Sequence, residues 1–278
     1  MDEKSAKVML ITGSTDGIGK QIALELADRG IKVLIHGRSR EKCEAVRYEI
    51  QKATGNDRMR IYVADFSSFQ QVRKLAEEIK SSEDRLDVLV NNAGLYSNHR
   101  QLTEDGLEMT FQVNHLAPFL LTVLLLDMMF KSTPSRIVNV ASTTHQSARV
   151  DFDNLQGEKY YDGYGAYALS KLGNILCTYA LARRLAGKDV TVNCLHPGSI
   201  NTKLLHAGFN SVGHDVGYGA QTPVYLATSP EVEGITGKYF RHEQETESSS
   251  ISYDQGLQEQ FWKVSEELTN INASDYIK

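Results

Sequence analysis

Short apolar stretches and amphipathic helical stretches alternate along almost the whole chain, and this alternation constrains the fold more than any other feature. When consecutive strands are connected by helices, the connections are right-handed crossovers. The strands are then parallel, and the helices cover both faces of the sheet. We therefore predict an α/β protein with a doubly wound, parallel seven-stranded sheet. The strands are expected at 8–11, 32–36, 60–64, 87–90, 136–140, 190–194 and about 238–240, and the helices at about 18–29, 41–53, 68–81, 105–130, 165–186 and 218–228.

The 278 residues are 41% hydrophobic, which is enough for one large domain or two small ones. No linker rich in Pro, Gly or Ser and no internal repeat interrupts the alternation. One domain over residues 1–278 is therefore the simplest account. A tail helix over about 256–270 carries an apolar stripe that we expect to dock on the body of the domain, formed by Phe261, Trp262, Val264 and Leu268.

The first predicted strand ends in a glycine-rich turn, TGSTDGIG, at residues 12–19. Such glycines permit a tight turn, let a pyrophosphate approach the backbone and aim the N-terminus of the first helix at an anion. A plain turn is the alternative, but the position between the first strand and the first helix favours a dinucleotide site. The loop residues predicted to bind the cofactor are Gly13, Ser14, Thr15, Asp16, Gly17, Ile18 and Gly19.

The second strand ends in His36-Gly37-Arg38, without the carboxylate that holds the ribose hydroxyls in an NAD site. The guanidinium fork of Arg38 suits the oxygens of a 2′-phosphate. We therefore favour NADP(H), with NAD(H) as the alternative cofactor. A solvated surface arginine is the other interpretation of Arg38, and Asp16 in the glycine turn counts against a phosphate nearby.

Two further strand ends supply residues for the same ligand. Asp65 follows the third strand, where it could cap the next helix. Because Ser67 and Gln70 already form a capping-box pattern, we expect Asp65 to accept from an adenine amino group instead. The motif NNAG at 91–94 ends the fourth strand with small residues that let the backbone pass close to a flat ligand. The residues predicted to bind from these two ends are Asp65, Phe66, Asn92, Ala93 and Gly94.

The otherwise apolar helix over 165–186 carries Tyr167 and Lys171, four residues apart on one helical face. Lowering a phenol pKa from about 10 to about 7 requires roughly 4 kcal/mol, which an ammonium about 4 Å away supplies at an effective dielectric of about 20. We therefore expect Lys171 to make Tyr167 an acid/base near neutrality. The spacing alone is weak evidence, because Tyr48 and Lys52 repeat it on a helix where we expect only a solvated face.

Six short motifs occur in order along the chain: TGSTDGIG (12–19), NNAG (91–94), VNH (113–115), IVNVAS (137–142), YALSK (167–171) and HPGSINT (196–202). By these motifs the sequence resembles the classical short-chain dehydrogenases/reductases, with coverage from residue 7 to about 270. The segments DGLEMTFQVNHLAPFLLT, DFDNLQGEKYY and SPEVEGITGKYF are similar to the retinol dehydrogenase-like branch of that family. The resemblance implies a Rossmann-type fold.

The resemblance also implies a catalytic set that consists of Asn114, Ser142, Tyr167 and Lys171. The family pattern implies that Ser142 hydrogen-bonds the substrate oxygen, that Tyr167 exchanges the proton and that Lys171 also holds the nicotinamide ribose. Asn114 is expected to hold a water that links Lys171 to solvent. The segment expected to hold the nicotinamide carboxamide comprises Pro197, Gly198, Ile200 and Thr202.

Together these observations predict an NADP(H)-linked carbonyl reductase or alcohol dehydrogenase. The alternatives are a non-catalytic NADP(H)-binding sensor and an NAD-dependent alcohol dehydrogenase. We expect a lid at about 203–219 and an insert at 145–163 to form the substrate pocket. An apolar carbonyl or alcohol substrate is favoured by Leu95, Tyr96, Leu204, Leu205 and Phe209. The resemblance further implies a homodimer or homotetramer.

Composition excludes several other classes of function. The net charge of −5 leaves no broad basic field for nucleic acid or anionic lipid. Three cysteines, far apart, fit a reducing compartment, and no metal-site motif is present. The N-terminus has no signal-peptide pattern, so we expect a cytoplasmic location. The most apolar stretch, 116–130, is shorter than the roughly twenty residues of a membrane span, so we expect a core or interface helix there.

Overall fold

A computed structural model describes residues 6–209 and 212–277, and within them eight strands form one sheet. The strands are β1 (Val8–Ile11), β2 (Lys32–Gly37), β3 (Met59–Val63), β4 (Val88–Asn91), β5 (Ser135–Val140), β6 (Val190–His196), β7 (Tyr239–Arg241) and β8 (Gln244–Thr246). Their order across the sheet is β3-β2-β1-β4-β5-β6-β7-β8. Neighbouring strands from β3 to β7 are parallel, and β8 is antiparallel to β7.

The parallel sheet predicted from the sequence is confirmed for β1 to β7, and the structure adds an eighth strand at its edge. β8 returns along β7 after the two-residue turn His242-Glu243, in which the two residues have φ values of 53° and 62°. Hairpin turns with positive φ at both positions favour Asn and Gly. The sequence therefore carries no turn signal at this point, and the edge strand was not predicted.

The helices in chain order are α1 (Gly17–Asp28), α2 (Arg40–Thr54), α3 (Phe69–Ser82), α4 (Met109–Phe111), α5 (Ala117–Lys131), α6 (Gly163–Arg184), α7 (Lys203–Gly208), α8 (Val216–Thr228) and α9 (Gln255–Thr269). A π-helical turn, Gln112–Leu116, joins α4 to α5. Buried residues of α1, α2 and α8 pack on one face of the sheet, and those of α3, α5, α6 and α9 pack on the other.

The strands are apolar on both sides because helices cover both faces. In β1, Val8 and Leu10 belong to the core beneath α3 and α5, whereas Met9 and Ile11 belong to the core beneath α1 and α8. All four side chains are buried. Successive side chains of a strand point to opposite faces, so a doubly covered strand requires the uninterrupted apolar runs seen in the sequence.

The long apolar helix lies in the core. By length and composition, Met109–Lys131 could cross a membrane, with a mean hydropathy of 1.7, but 89% of its apolar window is buried inside the protein. α9 covers part of α5 and α6. The Trp262 ring packs edge-on against Phe119 at 4.9 Å and lies 4.2 Å from the Arg184 guanidinium.

Candidate active site

An open cleft of about 1180 Å³ lies at the carboxyl ends of the strands, where the strand order reverses between β1 and β4. Open α/β sheets bind ligands at such a point, and this volume accommodates a dinucleotide together with a substrate. Every residue predicted to bind the cofactor, except Ser14, lines the cleft: Gly13, Thr15, Asp16, Gly17, Ile18, Gly19, Arg38, Asp65, Phe66, Asn92, Ala93, Gly94, Tyr167, Lys171, Pro197, Gly198, Ile200 and Thr202.

The glycine turn packs too tightly against its neighbours to accept side chains. A Cβ on Gly13 would lie 2.8 Å from the Cα of Ala93, and a Cβ on Gly19 would collide with the carbonyl oxygen of Gly13. Gly13 and Gly17 also have φ values of 66° and 53°, which glycine adopts without strain. The turn leads directly into α1, whose first N–H groups lack partners within the helix. This cradle fits a pyrophosphate.

Ser14 is the predicted loop residue that faces away from the cleft. It is fully buried, its hydroxyl accepts from the His36 N–H at 2.9 Å, and its own N–H donates to the His36 carbonyl at 2.9 Å. The His36 ring accepts the Gly13 N–H at Nδ1 and reaches the Ala64 carbonyl with Nε2, each at 3.2 Å. Burial lowers the pKa of His36 to about 4, so a neutral ring ties the glycine turn to β2 and β3. Sequence reasoning assigned no role to His36.

Asp16 caps α1 and pairs with a lysine of the predicted lid. Its Oδ1 accepts from the Gly17 N–H at 2.9 Å, and its Oδ2 lies 2.5 Å from the Nζ of Lys203 at the start of α7. The hydrogen bond from Lys203 is the main reason that the pKa of Asp16 lies below its usual range. Asp16 was counted against a nearby phosphate, and the ion pair offsets part of that charge. The sequence gives no local signal for a partner 187 positions away.

Arg38 extends from the end of β2 with 72% of its side chain exposed, and its Nη1 lies 3.9 Å from Asp65 Oδ2. The sequence predicts that Ser67 caps the helix after Asp65, and this prediction was wrong by one residue. Ser68 caps α3 by accepting from the Gln71 N–H at 3.4 Å. Ser67 instead donates its N–H and its hydroxyl to Asp65 Oδ1, at 2.9 and 2.8 Å. Asp65 therefore retains Oδ2 for the cleft.

Tyr167, Lys171 and Ser142 come together where α6 passes the end of β5. The Asp162 side chain caps α6 by accepting from the Gly165 N–H at 2.8 Å, and the helix then places Tyr167 and Lys171 one turn apart. Both are buried, and so is Ser142. The Lys171 Nζ donates to the carbonyl of Val140, the last residue of β5, at 2.9 Å.

Burial, rather than the lysine, dominates the ionisation of Tyr167. Desolvation raises the pKa of Tyr167 above its ordinary value, and a hydrogen bond with Ser142 offsets part of this increase. Desolvation also lowers the pKa of Lys171 to about 8. The expectation that Lys171 lowers the pKa of Tyr167 is wrong in this arrangement, because the sequence argument left out desolvation. The Nζ is held by Val140 and lies 5.5 Å from the centre of the Tyr167 ring.

Asn114 lies in the π-helical turn behind the wall of the cleft, and its side chain makes three hydrogen bonds. Its Oδ1 accepts from the Leu95 N–H at 2.8 Å, and its Nδ2 donates to the Leu95 carbonyl at 2.9 Å and to Ser170 Oγ at 3.2 Å. These bonds fix the end of the NNAG turn against α6. Both Nδ2 protons are used, so a water at Asn114 would have to donate to the main-chain carbonyl or to the remaining lone pair of Oδ1.

Two buried histidines support the loop that carries Ser142, and the sequence analysis missed both. His145 donates from Nδ1 to the Ser142 carbonyl at 2.5 Å and accepts the Ser249 N–H at Nε2, at 2.9 Å. His196, at the end of β6, accepts the Thr143 N–H at Nδ1, at 3.3 Å. Burial lowers the pKa of His196 to about 4. The sequence features that could have indicated these roles are the position of His145 three residues after Ser142 and the position of His196 just after the end of a predicted strand.

Aromatic side chains surround the Tyr167 ring. The centres of the Tyr96 and Phe209 rings lie 5.8 and 5.9 Å from that of Tyr167. The five apolar residues predicted for the pocket, Leu95, Tyr96, Leu204, Leu205 and Phe209, all line the cleft. Residues 210 and 211 of the predicted lid lie outside the described residues.

The predicted insert, 145–163, does not line the cleft, although its flanking residues Thr144 and Tyr164 do. Within the insert, the Tyr161 hydroxyl contacts the Ser97 carbonyl and Glu108 Oε1, each at 3.2 Å. Through these two contacts the insert fastens the start of α4 to the loop after β4.

The described residues hold no group of three or more His, Cys, Asp or Glu side chains that could bind a metal ion. All three cysteines are buried as free thiols.

A doubly wound sheet with a glycine turn and a Tyr, Lys and Ser group at its carboxyl edge defines a dinucleotide-dependent oxidoreductase. The model of the short chain dehydrogenase family matches residues 7–211, and the chain belongs to this family. It is therefore an oxidoreductase that acts on CH–OH groups.

Relatives place the chain in the retinol dehydrogenase-like branch. Retinol dehydrogenase 13 of Mus musculus and retinol dehydrogenase 14 of Homo sapiens are each 40% identical over 95% of this chain, and the matches cover 84% and 87% of those proteins. Among solved structures, an uncharacterised protein from Mycobacterium paratuberculosis has a TM-score of 0.81 and 30% identity, covering 96% of this chain and 94% of that one. A short chain dehydrogenase from Escherichia coli in complex with NADPH has a TM-score of 0.70 and 26% identity, covering 84% of this chain and 95% of that one.

Proposed function

We propose that this protein is an NADP(H)-dependent oxidoreductase that interconverts an apolar alcohol and its carbonyl compound, with Tyr167 as the group that exchanges the proton. The observation that carries the proposal is the meeting of Tyr167, Ser142 and Lys171 in one cleft with the glycine turn. Tyr48 and Lys52 share the spacing but lie on the surface of α2, with Tyr48 67% exposed.

The preference for NADP(H) rests on the end of β2. Arg38 lines the cleft with a largely exposed guanidinium, and residues 36–38 include no carboxylate to hold ribose hydroxyls. A guanidinium binds phosphate oxygens through paired, charge-assisted hydrogen bonds. The NADPH complex of the Escherichia coli neighbour is consistent with this preference.

When bound, the nicotinamide supplies or accepts the hydride. Tyr167 keeps its proton at neutral pH because burial raises its pKa, so it is ready to donate to a carbonyl oxygen during reduction. The Ser142 hydroxyl donates to the same oxygen and orients it. Lys171, whose pKa is about 8, is suited to return a proton to Tyr167.

The aromatic and aliphatic wall supports an apolar substrate. Tyr96, Tyr164 and Phe209 line the cleft beside Tyr167, and the relatives named retinol dehydrogenases point to the same class of alcohol. Few polar groups in this wall would pair with a substrate chain, so binding would come mainly from burial of apolar surface.

The test measures NADPH and NADH oxidation over a panel of apolar aldehydes and ketones, for the parent protein, Tyr167→Phe and Tyr48→Phe. We expect Tyr167→Phe to lose at least about 100-fold in kcat, since general acid catalysis contributes about 10²–10⁴. NADPH binding, followed by cofactor fluorescence, should persist, and Tyr48→Phe should match the parent. Full turnover by Tyr167→Phe would refute the assignment. A parent that binds NADPH but oxidises none would favour a non-catalytic sensor.

A further inference from the structure

The main-chain carbonyl of Asn114 lacks its usual helical partner. In an α-helix this oxygen would accept the N–H of the residue four positions later, which is Pro118 and has no N–H. The chain forms a π-helical turn, Gln112–Leu116, at this point. The Asn174 side chain on α6 donates from Nδ2 to the Asn114 carbonyl at 3.0 Å.

The Asn174 side chain is itself held by a histidine. Asn174 Oδ1 lies 3.2 Å from His115 Nδ1, and His115 Nε2 lies 2.8 Å from the Ser265 hydroxyl on α9. An amide oxygen only accepts, so the ring proton is assigned to Nδ1, and Nε2 is left as an acceptor. The single proton of the Ser265 hydroxyl has two acceptors at 2.8 Å, His115 Nε2 and the Phe261 carbonyl. A directed series of hydrogen bonds therefore runs from His115 through Asn174 to Asn114, and Ser265 of α9 contacts the other nitrogen of the His115 ring.

His115 is enclosed by apolar surroundings that keep its ring neutral. It is 1% exposed, and the Phe111 and Phe261 rings each lie 5.2 Å from its centre. Gly173 provides the space, because a Cβ there would lie 2.6 Å from the Phe261 ring and 2.9 Å from His115 Nδ1. Desolvation lowers the pKa of His115 to about 4. At physiological pH the direction of the hydrogen bonds is therefore constant.

We propose that His115 is a positioning residue for catalysis, which fixes Asn174 so that its amide holds the Asn114 carbonyl and its wall of the active site in one geometry. The proposal rests on the proposed function. It connects α9 to the catalytic centre indirectly, from Ser265 through His115 and Asn174 to Asn114. Without the ring Nδ1–H, the Asn174 amide is free to rotate and its donor no longer points to Asn114.

The test compares His115→Phe, His115→Asn and Asn174→Asp with the parent in NADPH-linked carbonyl reduction. Phe fills the aromatic enclosure without hydrogen bonds, whereas Asn places a donor near the position of Nδ1. We expect His115→Phe and Asn174→Asp to lower kcat about tenfold, the effect of one neutral hydrogen bond. KM for NADPH should stay within about twofold of the parent, and His115→Asn should recover part of kcat. The double variant His115→Phe/Asn174→Asp should be no slower than either single one.

Thr178→Val is the matched control on α6. It removes a buried hydroxyl that donates to the Asn174 carbonyl at 2.7 Å and accepts from Asn139 at 2.9 Å, so it should lower thermal stability and leave kcat unchanged. An equal loss of kcat in Thr178→Val, or a kcat for His115→Phe within about twofold of an active parent, would overturn the positioning role alone. An inactive parent would overturn the proposed function, and this inference with it.

Discussion

The Nζ of Lys171 lies 5.5 Å from the centre of the Tyr167 ring. The ammonium donates to the Val140 carbonyl at 2.9 Å. Its charge therefore does not offset the desolvation that raises the pKa of Tyr167. The pair is therefore arranged as a protonated phenol beside a lysine that titrates near neutrality. This order of protonation has consequences for rate and for stability.

The pH dependence of reduction should follow Lys171. Its pKa is lowered by desolvation to about 8, so the amine is charged below that pH and loses its proton above it, while Tyr167 stays protonated. We expect kcat/KM for NADPH, which reports the free enzyme, to fall above about pH 8. Lys171→Arg should lower kcat and abolish this decrease, because a guanidinium cannot return a proton to Tyr167 and keeps its charge across this pH range. An alkaline limb that stays near pH 8 in Lys171→Arg would contradict the assignment.

Lys171→Met should stabilise the fold at neutral pH while it impairs turnover. The folded-state pKa lies below the unfolded value of 10.5, so the unfolded chain binds more protons between about pH 8 and 10.5 and the parent gains stability across that range. Below about pH 8, burial of the Lys171 charge costs the parent about 3 kcal/mol. Lys171→Met removes this cost but also loses the hydrogen bond to Val140, which is worth about 1 kcal/mol. Urea unfolding at pH 7 should therefore show a gain of about 2 kcal/mol that shrinks towards pH 10. A loss of stability at pH 7 would argue against a charged Lys171.

Arg38→Ala should change the choice of cofactor. The side chain lies at the end of β2, 72% exposed, and within residues 6–209 and 212–277 its one ion pair is the long contact with Asp65 at 3.9 Å, so its guanidinium is available for a 2′-phosphate. We expect KM for NADPH to rise about tenfold or more and KM for NADH to change little, because one charge-assisted contact is worth about 1.5–3 kcal/mol. Arg47→Ala, which removes an arginine paired with Glu44 on the same helix at 2.7 Å, is the control. If the parent and Arg38→Ala show the same preference between NADPH and NADH, Arg38 does not bind the 2′-phosphate.

Lys203→Ala should weaken NADPH binding through Asp16. The two side chains pair at 2.5 Å beside the glycine turn, and without the lysine the carboxylate faces the pyrophosphate alone. Both groups are largely exposed, so the effect should be small, about threefold in Kd, and should diminish at high salt. Asp16→Asn/Lys203→Ala should restore binding. Fluorescence titration with NADPH at two salt concentrations measures this, and an effect independent of salt would point to loss of the lid contact instead.

The local patterns of the sequence predicted much of this molecule. Apolar runs of strand length separated by helical stretches gave the seven parallel strands, and the glycine turn, the NNAG motif and the Tyr and Lys spacing each placed residues at the carboxyl edge of the sheet. These predictions succeeded because each depends on residues close together in the chain. The β8 strand was missed since its turn, His242-Glu243, uses residues that rarely adopt positive φ.

By itself, therefore, the sequence determined the fold, the family and most of the residues that meet in the cleft, with exceptions such as Ser14 and the insert 145–163. Only the tertiary structure decided how those residues are protonated and held. Burial reversed the expected pKa shift of Tyr167, and distant partners such as Lys203 for Asp16 and Ser265 for His115 appeared only after the chain was folded. Desolvation and long-range hydrogen bonding depend on packing among segments far apart in sequence, and no local pattern records them.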